Sequence, residues 1–76
     1  MEDTEIIELY WARNEEAIRQ THTKYGAWCH GIALRILEAR EESEECVNDA
    51  YFQAWNSIPP QRPAAFRAWL GRITRN

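Results

Sequence analysis

Ile18, Thr21, Tyr25, Trp28, Cys29, Ile32 and Ile36 recur at the intervals that line one face of an α-helix. The spacing predicts a long central helix, with Asn14 as its N-cap and Glu15 and Glu16 near the positive end of the helix dipole. Before it, Ile6, Leu9 and Tyr10 fit a short helix capped by Asp3 or Thr4. A second long stripe, Val47, Ala50, Tyr51, Ala54, Trp55 and Ile58, predicts a helix over residues 41–57. Pro59 and Pro60 stop it, because proline lacks the N–H and its ring clashes with the preceding turn. The last helix is expected to start near Pro63 and to bury Phe66, Trp69, Leu70 and Ile73. No stretch alternates like a half-buried strand, so the expected fold is all-α: three main helices and a short N-terminal one.

A length of 76 residues limits the chain to one domain with a small core, which the nine aromatic residues help to fill. Cys29 and Cys46 are too few for a disulfide framework and lack the paired spacing of a zinc site, so they read as reduced thiols. No apolar run approaches the length of a membrane span and no positive leader opens the chain, so the expectation is a soluble, cytoplasmic protein with no membrane partner.

The net charge of -3 conceals a segregated pattern. Residues 2–16 hold six acids against Arg13, and residues 38–49 hold six more against Arg40. Residues 50–76 hold Arg62, Arg67, Arg72 and Arg75 and no acid. Such a division suits two different partner surfaces. Placed at 100° per residue, Glu45, Asn48, Asp49, Phe52 and Asn56 fall opposite the apolar stripe of the third helix. Phe52 among acids and amides has the composition of a protein-docking centre ringed by polar groups. On the last helix Arg67, Arg72 and Arg75 lie opposite Phe66, Leu70 and Ile73, and guanidinium groups suit phosphate. Residues 58–63 (IPPQRP) predict a rigid surface loop beside them, the kind of feature that can receive an unstacked base.

Catalytic and metal readings find no support. The three glycines are isolated, so there is no phosphate loop, and neither His22 nor His30 belongs to a metal-binding repeat. No catalytic residue, metal or cofactor is expected.

Residues 42–55 (ESEECVNDAYFQAW) followed by residues 66–76 (FRAWLGRITRN) resemble region 2 of bacterial sigma factors of the sigma-70 family, with the small extracytoplasmic-function type as the nearest group. Lys24-Tyr25 and residues 32–37 (IALRIL) are similar to the start of that region.

The resemblance implies a transcription initiation factor, not an enzyme, in which the third helix docks on the clamp helices of the RNA polymerase β′ subunit. Glu45, Asn48, Asp49 and Phe52 would face polymerase; Asn48 and Asp49 are each one methylene shorter than the family's usual Gln-Glu. The loop and last helix would melt the promoter -10 element and hold its non-template strand, through Pro60, Gln61, Arg62, Arg67, Arg72, Arg75 and Asn76. An anti-sigma factor is a further partner that the resemblance allows. In the family the last helix runs on past the position of Asn76 and a second helical domain reads the -35 element. Residues 1–76 are therefore expected to be a region 2 domain cut short at its C-terminal end. The reading from a different class is a helical protein-interaction module whose arginine face is only solvated.

Overall fold

Four helices, α1 (Asp3–Trp11), α2 (Glu16–Leu37), α3 (Arg40–Ser57) and α4 (Phe66–Arg75), make up the computed structural model, which describes all 76 residues. The all-α expectation holds. α2 is the central element, and α1, α3 and α4 all pack on it. The core is a single cluster that includes Ile6, Tyr10, Cys29, Ala50, Ile58, Phe66 and Leu70. Full burial of a side chain such as Leu70 contributes about 1.5 to 3 kcal/mol.

The line of α2 that is fully buried consists of small residues, Ala17, Thr21, Gly26, Cys29 and Ala33. Small side chains let the neighbouring helices approach closely. The large members of the predicted stripe, Ile18, Tyr25 and Trp28, pack along its flanks and are half-buried. Ile36 departs from the expectation: it is 55% exposed, and Leu34 and Leu37 are exposed beside it. The helical period continues past the point where the other helices cover it.

Buried hydroxyls are satisfied locally. Thr21 donates to the Ala17 carbonyl at 2.8 Å, which leaves its oxygen to accept from the Tyr10 hydroxyl at 2.7 Å. Ser43 and Thr74 likewise donate back one turn, to Ala39 and Leu70. The half-buried Cys46 thiol donates to the Thr74 carbonyl at 3.2 Å and Cys29 is buried, both unpaired as disulfides. Burial pushes the Cys29 thiol up, the Thr74 bond opposing it, so it stays protonated.

Four helix boundaries differ from the sequence expectation. α1 is capped by Glu2, not by Asp3 or Thr4, and the Glu2 N–H donates to Glu5 Oε1 at 3.0 Å. Asp3 is committed elsewhere: it accepts from Lys24 at 2.8 Å and from the Tyr25 hydroxyl at 2.8 and 2.9 Å. α3 begins at Arg40, one residue before the expected start. α4 begins at Phe66 and leaves Pro63, Ala64 and Ala65 outside the helix. Arg62, just upstream, forms a salt bridge to Glu8 of α1 and stacks on Trp11 at 4.6 Å, which holds the segment against α1. At α2 the N-cap position is Glu15 rather than the expected Asn14, whose Oδ1 nevertheless accepts from the Glu16 N–H at 2.9 Å.

Candidate functional site

α3 turns its buried edge, Val47, Ala50, Tyr51 and Ala54, to the core, so the residues between are forced outward. Glu45, Asn48, Asp49 and Phe52 are all exposed, Phe52 at 68%. Leaving a phenyl ring in water forgoes a large burial gain, and nothing in the fold requires it there. These four residues form a ridge between two grooves. Glu45 and Asp49 border a groove of about 280 Å³ between α3 and α4, with Leu37 and Cys46 in its wall. Asn48 borders a groove of about 430 Å³ between α3 and α2, together with His22, His30 and Arg40. The Nε2 of His30 is buried with no hydrogen-bond partner. His22 Nδ1 lies 3.0 Å from the Tyr51 hydroxyl, whose ionisation is suppressed first by burial and then by the neighbouring Cys29 and Tyr10.

The second candidate surface joins the 58–65 segment to α4. Ile58 is fully buried and anchors the segment; Pro60, Gln61 and Arg62 are exposed. Gln61 is fixed at both ends of the residue: its N–H donates to the Ser57 carbonyl at 2.9 Å, and its Oε1 accepts from Trp69 Nε1 at 3.3 Å. α4 buries Phe66, Leu70, Ile73 and Thr74 and therefore presents Arg67, Arg72 and Arg75 to solvent. The salt bridges of the protein leave these three arginines without a carboxylate partner. Arg67 lies over the Trp28 ring at 4.7 Å.

Not every predicted residue joins its group. Arg62 is engaged with Glu8 and Trp11, so it stands apart from the three free arginines. Asn76 borders the acidic α3–α4 groove rather than the Arg67 and Arg75 side of α4. Sequence reasoning missed Trp28, which helix period assigned to the core alone. It also missed Arg13, whose guanidinium donates to the carbonyls of Trp55 and Ile58 at 2.8 and 2.9 Å and so fixes the start of the loop. No local pattern announces either contact.

No helix is long and apolar enough to cross a membrane, and no group of His, Cys, Asp and Glu is placed to hold a metal ion. Neither the curated proteins nor the solved structures give a match to the chain. The family model described as Sigma-70 region 2 matches residues 21–76, which takes in α2 from Thr21 onward, the whole acidic ridge, the proline-rich segment and the arginine face. With both candidate surfaces inside that match, the chain belongs to the sigma-70 family through its region 2, and its role is in transcription initiation with RNA polymerase and promoter DNA.

Proposed function

We propose that the chain is a region 2 domain of the extracytoplasmic-function type that docks on the β′ clamp helices through α3 and melts and holds the promoter -10 element through the 58–65 segment and α4. Glu45, Asn48, Asp49 and Phe52 make the polymerase contact. Phe52 is the anchor that loses its water, and the acids choose a basic partner. Pro60 and Gln61 shape the receptacle for an unstacked base, and Arg67, Arg72 and Arg75 hold the backbone of the displaced strand. Arg62 braces the segment from behind through Glu8. Asn76 ends α4 on the side of the α3–α4 groove and takes no part in this backbone contact.

The observation that carries this reading is the division of unpaired groups between two faces. α3 exposes an aromatic ring among uncommitted acids, and α4 exposes three arginines with no carboxylate near them.

The test is a titration of the polymerase-bound protein with a -10 non-template oligonucleotide, as single strand and as duplex. Tighter binding of the single strand supports the reading, since the surface has no free helix to enter a major groove. Tighter binding of the duplex overturns the assignment of α4. Retention on polymerase with indifference to both nucleic acids would favour the protein-interaction module.

A further inference from the structure

Trp28, half-buried on α2, lines a groove of about 280 Å³ whose other wall is Arg67, Ala68 and Arg75 of α4. The close approach depends on Gly71: a Cβ there would come within 2.8 Å of Trp28 Cη2. The ring is thus brought against the arginine face by a position that a side chain would push away. Arg67 and Arg75 have no acidic partner, and the Arg67 guanidinium lies over the indole.

An aromatic row links this groove to the proline-rich segment. Trp28 neighbours Tyr25 with ring centroids 6.0 Å apart, Tyr25 neighbours Phe66 at 6.1 Å, and Phe66 stacks on Trp69 at 6.1 Å. Trp69 in turn donates to Gln61. The two places are therefore held in fixed relation by packed rings. They are still separate: Trp28, Arg67, Ala68 and Arg75 line the groove, and no residue of the 58–65 segment does.

A π face between two unpaired guanidinium groups is what single-stranded nucleic acid recognises, through stacking and phosphate contact together. An acidic peptide would satisfy the arginines and leave the ring unused. We propose that this groove is a second nucleotide site: one unpaired base of the non-template strand stacks on Trp28, and the phosphates on either side engage Arg67 and Arg75. As the base enters, Arg67 leaves the ring for the phosphate. α2 thereby becomes part of the DNA surface. The inference rests on the reading of α4 as the DNA-facing helix.

The experiment places 5-iodouracil at successive positions of the -10 non-template oligonucleotide, irradiates its complex with the polymerase-bound protein, and maps the crosslinked residue. One position should crosslink to Trp28, and a different one to the 58–65 segment or Trp69. Crosslinks to the segment or Trp69 with none to Trp28 at any position overturn this site while leaving the DNA role of α4 standing. An oligonucleotide that does not bind the parent protein overturns both. Trp28→Leu should weaken binding about tenfold, the worth of one stacked base. An abasic replacement at the Trp28 position should then have no further effect in Trp28→Leu, although it weakens the parent and Trp28→Phe. Equal abasic losses in parent and Trp28→Leu overturn the proposal. The crosslinking arm uses the unaltered protein, so it decides the matter even if Trp28→Leu folds poorly.

Discussion

The guanidinium of Arg13 lies over the Trp55 ring, 3.8 Å from its centroid, and donates to the carbonyl of the same residue at 2.8 Å. The reason lies four residues on. The Trp55 carbonyl would ordinarily accept from the N–H of residue 59, which is a proline and has none. Arg13 supplies the missing donor and also caps Ile58, where α3 ends and the proline-rich segment begins.

Arg13→Ala is therefore expected to lower stability by about 1 to 3 kcal/mol, since it leaves a part-buried carbonyl without a partner. In a domain of this size each 1 kcal/mol is worth roughly 4 to 8 °C in melting temperature. Arg13 also sits at φ 54, in the left-handed region. Arg13→Gly loses the same donor but relieves that conformation, so it should be milder than the alanine variant by about 1 kcal/mol. Equal melting temperatures for the two variants would remove the backbone part of this account.

The Arg13 contact marks the boundary of what was legible in the sequence. The helices of α2 and α3 were readable because burial repeats at the helical period, and Pro59 and Pro60 announce the end of α3 in the residues themselves. The outward placement of Glu45, Asn48, Asp49 and Phe52 followed from the same period, because a face not needed by the core must meet water. The start of α4 was not readable. Pro63, Ala64 and Ala65 are individually suited to a first turn, yet they lie outside the helix, next to Arg62, whose partner Glu8 is 54 residues away. The Arg62 contact was hidden for the same reason: charge is visible in the sequence, and the distant partner Glu8 is not. Ile36 shows the converse error, a periodic residue with no helix left to cover it.

On the proposed docking role of α3, Phe52→Ala should weaken binding to polymerase by about 2 kcal/mol, roughly thirtyfold, while melting within about 0.5 kcal/mol of the parent. Reversal of Glu45 and Asp49 to Lys should weaken it as well, mainly by slowing association. Trp55→Ala is the contrast. Its ring packs against Tyr10 at 6.3 Å and under Arg13, so it should lose about 3 kcal/mol of stability. Unchanged polymerase binding by Phe52→Ala in a quantitative pull-down takes this face out of the docking surface.

The link between α1 and α2 should fail in acid. Burial raises the Asp3 carboxyl, but the hydrogen bonds from Lys24 and Tyr25 together outweigh it and leave it below the ordinary carboxylate range. A carboxyl depressed in the folded state contributes stability at pH values above its unfolded pKa, and loses it as pH falls through the folded one. Urea midpoints of the parent and Asp3→Asn should thus differ by a constant amount between about pH 5 and 8. The difference should shrink below about pH 4. A gap that persists unchanged to about pH 2 would mean that Asp3 acts by packing and not by charge.

Salt dependence separates the arginines that are free from the one that is not. A chain carrying -3 is repelled by nucleic acid on average, so any attraction must be local to α4 and the segment before it. Arg67, Arg72 and Arg75 lack carboxylate partners, and three contacts at roughly -0.7 each give a slope of log K against log salt of about -2 for single-stranded DNA. Arg72→Ala and Arg75→Ala should each reduce that slope by about 0.7 and weaken every sequence alike. Arg62 should behave differently, because its charge is already met by Glu8 and its plane by Trp11. Arg62→Ala should leave the slope unchanged. It should instead loosen the segment against α1, lower stability by no more than about 1 kcal/mol, and blunt the preference for particular bases. Salt titrations of the four single variants decide between the two roles: a slope that falls with Arg62→Ala as much as with Arg72→Ala would show that DNA draws Arg62 away from Glu8.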